Sequence, residues 1–198
     1  WAGGQISGSD ALGIATKLAK PYGISVAALC DVGGAIPQFN IMIGESPFEI
    51  IERIGRWRGF LAYERSDGSL ALAQAGTEVM SSGLGEGKNV QQAALVFAMD
   101  QRFSNYRAFL QSFDSFGDNG QGGNLFAQQA DPGCTRHRQL DVVAETGMQG
   151  QDIAKKRIIW EAARRAGRSQ QINATVDSWR DADGELWKPN AKIPVDLP

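Results

Sequence analysis

Cys134 and the single histidine, His137, stand three residues apart, a spacing that could pair a thiolate nucleophile with a base. A thiolate needs such a base or a cation nearby. The segment offers no residue to orient His137, however, and Pro132-Gly133 is typical of a turn. The sequence therefore favours a structural loop. A zinc site would need more ligands than one histidine and two distant cysteines supply.

The glycine-rich segment 82–89 is a second candidate, because its Gly87-Lys88 pair resembles the end of a phosphate-binding loop. Such a loop needs a glycine five residues before that pair and Ser or Thr directly after it, since backbone amides wrap the phosphates and the hydroxyl holds magnesium. Ser82 and Asn89 occupy those two positions here. The segment therefore predicts a flexible turn, and the sequence indicates no cofactor.

Paired carboxylates would be required for glycoside hydrolysis, the chemistry of a cell-wall hydrolase. Glu45 with Glu49 and Asp177 with Asp181 are candidates, but they fall at a predicted helix start and a predicted turn. Capping and turn formation explain them without catalysis. Carboxylates can also meet from distant parts of a fold, so a hydrolase stays open as the alternative, with no catalytic residue assigned.

The predicted helix 152–168 is strongly basic. Its six cationic residues stand against Asp152 and Glu161: they are Lys155, Lys156, Arg157, Arg164, Arg165 and Arg168. Arg157, Glu161 and Arg165 have the spacing of a salt-bridge ladder on a solvated face. A nucleic-acid site would add interleaved aromatic residues and a wider basic surface. We therefore expect a solvated or subunit-contacting face without specific nucleic-acid binding, and Arg164 and Arg165 as contact candidates.

Trp179 and Trp187 flank a turn that the Asp183-Gly184 pair predicts. One interpretation is a cross-strand aromatic clamp, which stabilises such a turn by roughly 0.5–1.5 kcal/mol beyond burial. The other is that a tryptophan anchors a subunit contact, as interface tryptophans often do. Trp179 and Trp187 are therefore both candidates for a subunit contact.

The elements that would position these residues begin with a small α/β domain over residues 1–76. Local signals predict a helix after Ser9 or Asp10, strands over 24–29 and 39–43, a second helix after Ser46, and a hairpin turning at 66–69. The second helix has the most specific start, because Pro47 follows the cap and Glu49 completes a capping box.

Residues 77–90 are predicted to be a connector, and residues 91–198 a second domain. Alternating strands are expected over 95–99, 106–110, 140–144 and 172–176, the last forming a hairpin with 191–197. Gly, Asn, Gln and Asp make 114–131 a predicted mobile loop. The helix 152–168 should bury Ile159, Ala162, Ala163 and Ala166. The predicted class is α+β: a small α/β domain, then a partial antiparallel β-barrel with a flanking long helix.

Composition limits the function classes. Among 198 residues, 20 Lys and Arg nearly balance 22 Asp and Glu, which argues against a polyanion-binding chain. No apolar stretch approaches the roughly 18 residues of a membrane span, and no signal peptide is recognisable. Two distant cysteines favour a reducing compartment. Because the chain opens at Trp1 without methionine, we expect it to be a piece of a longer protein.

Several short segments occur in the order and spacing of one known family. They are Gly23-Ile24, Glu45 to Glu49, Arg58 to Leu61, Asp67-Gly68, Asp100 to Tyr106, Asp131 to Gly133 with Arg136 and Arg138, Trp160-Glu161, Trp179, and Leu186 to Asn190. Across nearly the whole chain the sequence resembles the Mu-type baseplate hub proteins of contractile-tailed phages and prophages.

The resemblance implies a non-enzymatic structural protein of the virion. It implies a homotrimer that joins the hexameric tail tube protein to the trimeric central spike protein and contacts other baseplate proteins. Two related barrels per subunit would give the trimer a pseudo-sixfold ring, and most of the first barrel would lie upstream of Trp1. The expected location is the tail baseplate, after assembly in the bacterial host cytoplasm. The rivals are a tail-associated cell-wall hydrolase and a nucleic-acid or sugar-binding module.

Overall fold

The computed structural model describes residues 4–111, 124–144 and 151–197, and it has a mixed α+β fold. Three α-helices and twelve strands lie in these ranges, and the strands form five small sheets. The predicted α+β class is confirmed. Two buried clusters organise the chain: one drawn from residues 6–72 and the other from residues 106–162.

The first cluster lies between two helices and a three-stranded sheet. The helices are α1 (Ala11–Ala19) and α2 (Pro47–Arg58); the strands are β1 (Gln5–Ile6), β2 (Val26–Ala28), β3 (Phe39–Asn40), β4 (Leu61–Glu64) and β5 (Leu70–Ala73). The sheet order is β2-β5-β4, with β2 parallel and β4 antiparallel to β5, while β1 pairs with β3. Ile14, Ile36 and Leu72 are fully buried between these layers.

Local capping chemistry explains where these helices begin. The Asp10 carboxylate accepts from the Gly13 amide at 2.7 Å and starts α1. Ser46 and Glu49 form the predicted capping box at the start of α2, and Gly59, with φ 79°, ends that helix. The hairpin predicted at 66–69 is also confirmed, because β4 and β5 pair antiparallel on either side of it.

The strand predicted over 39–43 is wrong after Asn40. The chain turns there, because the Met42 carbonyl accepts from the Glu45 amide at 3.1 Å and the Glu45 carboxylate accepts from the Met42 amide at 2.9 Å. Gly44 supplies the positive φ of 92°. The Ile43 side chain is consequently fully exposed, although its alternation with Phe39 and Ile41 suggested that it points inward.

The connector is joined to residues 190–196. It contains β6 (Leu84–Gly85), which pairs parallel with β12 (Val195–Asp196), and the bridge between Val79 and Lys192 continues the pairing. At its start, the Asn190 side chain accepts from the Gly76 amide and donates to the Gln74 carbonyl, both at 2.8 Å. Asn190 takes a left-handed backbone, φ 59°, to do so. We call this contact of 76–86 with 190–196 the clasp.

The second cluster lies beneath a long helix. The elements are β7 (Val90–Phe97), β8 (Asn105–Gln111), β9 (Asn124–Ala130), β10 (Gln139–Val143), α3 (Gln151–Arg168) and β11 (Gln170–Val176). The helix packs on β8 and β9 and also touches α2. Tyr106, Ala108, Ala154 and Ile158 are buried there. The expected long helix is confirmed.

Several predicted details of this half are wrong. The helix buries Ala162 as predicted, but it buries Ile158 in place of Ile159, which is 54% exposed, and it leaves Ala163 exposed. Strand β10 runs parallel to β8, so the sheet is not antiparallel throughout, and the described strands close no barrel. Strand β11 pairs with β7 rather than forming a hairpin with 191–197.

The predicted loop 114–131 is wrong over 124–130, where β9 pairs with β8 in full register. This strand contains consecutive glutamines, yet Ala127 is buried while Gln128 is exposed and donates to the Asn105 side chain at 2.9 Å. The polar residues are therefore compatible with a strand that has one solvated face. The first part of the predicted loop, 114–123, lies outside the described residues.

Candidate subunit-contact site

Arg165 is engaged within its own chain. The buried Glu161 carboxylate accepts from Arg157 Nη1 at 2.7 Å and from Arg165 Nε at 2.6 Å. Arg165 also donates to the Gln101 carbonyl at 2.9 Å. Burial acts to raise the pKa of Glu161, but the two arginine hydrogen bonds hold that pKa below its ordinary value. The predicted i, i+4, i+8 ladder exists, therefore, but its acidic member lies inside the protein rather than on a solvated face.

Arg164 lies partly buried on α3, with its guanidinium 5.3 Å from the centre of the Trp160 ring. Arg157 approaches the same ring at 5.3 Å. Burial, followed by the neighbouring charges of Arg168 and Arg165, lowers the pKa of Arg164, whereas Glu52 on α2 acts to raise it. Arg164 therefore lies beside the Trp160 ring, close enough to α2 to interact electrostatically with Glu52.

The tryptophan turn is built by backbone hydrogen bonds around Asp181. The Asp181 amide donates to the Glu185 carbonyl at 2.7 Å, and its carboxylate accepts from the Asp183 and Glu185 amides. Gly184 has φ 82°, as the predicted turn requires. The Trp187 indole donates to the Ser178 carbonyl at 3.1 Å and is half-buried.

Trp179 has a different environment, with 88% of its surface exposed. A cross-strand clamp would cover at least one face of this ring, so the clamp interpretation is wrong. Trp179 instead borders an open groove of about 780 Å³ that Leu186, Trp187 and Pro189 also line. The turn of the first hairpin, at Glu64–Ser66, forms the opposite side. The structure therefore brings both predicted tryptophans to one groove and leaves Arg164 and Arg165 on a different element.

The residues weighed for catalysis have other partners. The buried Cys134 thiol points to the Arg136 carbonyl at 3.5 Å, while His137 is exposed. Asn89, in the glycine-rich segment, accepts from the Gly85 amide and donates to the Gly83 carbonyl, which fixes that turn. Across residues 4–111, 124–144 and 151–197, no group of three or more Cys, His, Asp and Glu could hold a metal ion.

The carboxylates weighed for hydrolysis serve local structure. Glu49 caps α2, and its hydrogen bonds with the Ser46 amide and hydroxyl lower its pKa. Glu45 accepts from the buried Arg53 at 2.7 Å, and the Arg53 guanidinium lies 4.2 Å from the Phe39 ring centre. These contacts hold the turn that exposes Ile43. The sequence analysis did not single out Arg53, although an arginine near aromatic and acidic residues can indicate a cation–π contact and an ion pair.

Besides the tryptophan turn, exposed large apolar side chains of the described residues cluster in two places. One is the first half, where Tyr22, Met42, Ile43 and Phe48 surround Pro47. The other is the pair of strands β7 and β11, whose apolar residues Leu95, Phe97 and Ile172 are 46–70% exposed. Exposed apolar patches of this kind mark protein contacts. No helix among the described residues is long and apolar enough to cross a membrane.

Comparison with known proteins shows which proteins this chain resembles. Residues 1–74 match the second domain of "Baseplate hub protein gp44-like" proteins, and residues 150–198 match the fourth domain of "Mu phage baseplate assembly protein GpP". The chain is also 28% identical over 204 residues to baseplate hub protein gp44 of Escherichia phage Mu, a match that covers 99% of this chain. Over nearly its whole length the chain resembles Mu-type baseplate hub proteins.

Solved structures of tail proteins also resemble this chain. The 43 kDa tail protein of prophage MuSo2 from Shewanella oneidensis has a TM-score of 0.82 and 32% identity, and the match covers all of this chain and 59% of that protein. The tail protein of Neisseria meningitidis MC58 shares the fold, with a TM-score of 0.73, 23% identity and coverage of 96% and 58%. The chain spans 53% of the Mu protein's length.

Proposed function

We propose that this chain is part of a structural baseplate hub that acts as a homotrimer in a contractile phage or prophage tail. It joins the hexameric tail tube protein to the trimeric central spike protein and contacts other baseplate proteins. In this proposal the three segments 1–76, 77–90 and 91–198 act as a small domain, a connector and a partial barrel. The protein works in the virion tail after assembly in the host cytoplasm, and it has no enzymatic role.

The observation that carries the proposal is the order of the two family matches, at residues 1–74 and 150–198 of one chain. Both are domains of baseplate proteins, and the relatives at 28% and 32% identity are a baseplate hub protein and a tail protein. Exposed apolar residues in both halves support a protein whose surfaces meet other chains, because such patches are costly on a free monomer.

Among the four contact candidates, Trp179 has the strongest support. Its ring is 88% exposed on a turn that backbone hydrogen bonds hold in place, so it would lose little conformational freedom on binding. Trp187 would act as the floor of the same groove. Arg164 and Arg165 would contribute through the outward edge of α3, although their guanidinium groups already contact Trp160 and Glu161.

Labelling of purified tails tests the proposal. Tails would be prepared from a host carrying the parent gene cluster, and antibodies against this chain would be located by electron microscopy. Gold at the baseplate end, with loss of complete tails when the gene is deleted, is the expected result. Label along the tube or sheath would contradict a hub. Clearing of bacterial cell walls in a zymogram would favour the hydrolase, and light scattering would give the molar mass of the proposed trimer.

A further inference from the structure

The clasp buries little apolar surface. Neither the buried cluster of the first half nor that of the second half includes a clasp residue. Met80 is buried, but no residue of 190–196 is, and Val79 and Val195 are 62% and 41% exposed. Because burial of apolar surface is the dominant favourable contribution to folding, both clusters can stay folded when the clasp is lost.

Hydrogen bonds hold the clasp together instead. Backbone amides of Lys192, Met80, Leu84 and Glu86 donate to the carbonyls of Glu78, Lys192, Pro194 and Asp196 at 2.8, 2.9, 2.8 and 3.2 Å, respectively. The Asn190 side chain adds its bonds to Gly76 and Gln74, although its backbone is left-handed. Each bond contributes little net free energy because water competes for the same groups, while ordering each residue costs conformational entropy. The clasp should therefore open more easily than either half unfolds.

The tryptophan turn meets the connector through exposed polar contacts. The Ser81 hydroxyl donates to the Asp183 carboxylate, and the Lys188 ammonium lies 3.1 Å from a carboxylate oxygen of Glu78. The side chains of Lys188 and Glu78 are 53% and 64% exposed, and ion pairs this exposed contribute little to stability. The turn is therefore held to the connector as weakly as residues 190–196 are.

The open groove that both tryptophans border, which we call the tryptophan groove, lies directly beside the clasp. One side is the hairpin turn 64–66 of the first half, and the other includes Trp187 and Pro189. Pro189 immediately precedes Asn190, whose side chain donates to the Gln74 carbonyl just after β5. The two sides of the groove therefore belong to different halves of the chain, and the clasp joins those halves one residue away from the groove.

We infer that the clasp is a latch, which opens while both buried clusters stay folded and which widens the tryptophan groove when it opens. In the closed latch, Asn190 holds 190–196 against the connector and keeps the two sides of the groove at one separation. In the open latch, residues 177–197 leave the connector but stay joined to β11, so the tryptophan turn moves away from 64–66. A partner that fits the wider groove shifts the equilibrium toward the open state. The latch operates in the chain itself, whether or not the chain forms part of a hub.

A reversible lock tests whether the clasp opens. Val79 and Lys192 are exposed partners in a parallel bridge, and adjacent strands lie about 4.8 Å apart, a separation that a disulfide can span. The lock is the double variant Val79→Cys, Lys192→Cys. Amide hydrogen exchange would be followed by NMR for the 198-residue chain, for the oxidised double variant and for the same variant after reduction. Peptide mapping would confirm that the new bond joins positions 79 and 192 and leaves Cys30 and Cys134 free.

In the unsubstituted chain, we expect the clasp amides of Met80, Leu84 and Lys192 to exchange at least about 100-fold faster than the amides of Leu72 and Ala108 in the two clusters, because local opening needs less free energy than global unfolding. The oxidised bond should shrink this difference at least about tenfold, and reduction should restore it. Equal exchange of clasp and cluster amides in the unsubstituted chain overturns the inference, as does a difference that oxidation leaves unchanged.

Distance measurements test whether opening widens the groove. Spin labels would be attached through Ser66→Cys and Glu185→Cys, one on each side, in a chain whose native cysteines are replaced by alanine. Asn190→Ala removes the side-chain bonds of the clasp and should make the label-to-label distance distribution longer and broader. Asn173→Ala, an exposed asparagine of β11 outside the clasp, is the matched control and should leave the distribution unchanged. With both variants folded by circular dichroism, an Asn190→Ala distribution equal to that of the control overturns the inference.

Discussion

Arg102 and Asp131 form a two-point ion pair that joins three separate segments of the second half. Arg102 Nε lies 2.6 Å from one carboxylate oxygen of Asp131, and Nη2 lies 2.9 Å from the other. The remaining nitrogen, Nη1, donates to the Ser169 hydroxyl at 3.3 Å. The pair therefore connects the chain before β8, the chain after β9 and the residue that precedes β11.

Asp131→Asn should reduce the free energy of unfolding by about 2–3 kcal/mol. The pair is largely buried, with 14% and 8% of its side chains exposed, so removal of the carboxylate charge leaves a desolvated guanidinium with a weaker partner. Urea denaturation followed by circular dichroism would measure the loss. Asp100→Asn, an exposed aspartate in the neighbouring loop, is the matched control and should change stability by less than about 0.5 kcal/mol. Equal effects of the two substitutions would contradict the assigned role.

Stability should fall in acid because the two buried carboxylates, Asp131 and Glu161, have depressed pKa values in the folded chain. The hydrogen bond from Arg102 lowers the pKa of Asp131, and the arginine hydrogen bonds to Glu161 outweigh the effect of its burial. A carboxyl whose folded pKa is lowered stabilises the fold above its unfolded pKa, and that contribution disappears as pH falls through the folded pKa. The loss should therefore begin near pH 4, where unfolded Asp and Glu titrate at about 3.9 and 4.3.

Urea midpoints measured between neutral pH and about pH 3 would follow this loss. The Asp131→Asn, Glu161→Gln double variant lacks both carboxylates and should have a flatter pH dependence than the parent over the same range. A parallel curve for the double variant would mean that other groups control acid stability.

Gly76→Ala should open the clasp. A Cβ at Gly76 would lie 1.6 Å from the Asn190 carbonyl oxygen, which is backbone and cannot rotate away. We expect a loss of at least about 1–2 kcal/mol and faster proteolysis within 190–196. Gly167→Ala is the control, because a Cβ there meets nothing within 4 Å and alanine favours the α3 helix by roughly 0.5–1 kcal/mol. Equal proteolysis rates for both variants would contradict the importance of this close approach.

Substitution of Trp179 should weaken assembly, whereas substitution of Trp187 should reduce the stability of the fold. Trp179→Ala removes an 88% exposed ring, so the free energy of unfolding should change by less than about 0.5 kcal/mol while self-association or tail incorporation weakens. Trp187→Ala loses a half-buried ring and its hydrogen bond to the Ser178 carbonyl, and should cost about 1–2 kcal/mol. Urea denaturation and light scattering on the same samples would distinguish them. A larger stability loss at Trp179 than at Trp187 would reverse the assignment.

Features that depend on a few neighbouring residues could be predicted from the sequence. Ser46, Pro47 and Glu49 specify a helix start because the cap and its reciprocal partner lie within one turn. Gly184 similarly marks its turn, because the positive φ there favours glycine. The α3 helix was predictable within one residue, yet its buried face was not, because Ile158 and Ile159 are adjacent and either could face the core.

Pairing between distant elements could not be predicted in the same way. Strand β11 has an alternating pattern that fits any antiparallel partner, so its pairing with β7 rather than with residues 191–197 depends on the packing of the whole second half. The contact candidates show the same limit. Trp179 and Trp187 look equivalent in sequence, and only the fold exposes the first and covers the second.

The clasp has a consequence for the order of events on the ribosome. The buried cluster of the first half is drawn entirely from residues 6–72, so that part of the chain can become compact early in translation. Gly76 and Asn190 are 114 positions apart, and the connector cannot be fixed until residues 190–196 have been synthesised. Strand β7 likewise cannot pair with β11 until residues 170–176 have been synthesised. The first half therefore has time to fold before either of these long-range contacts can form.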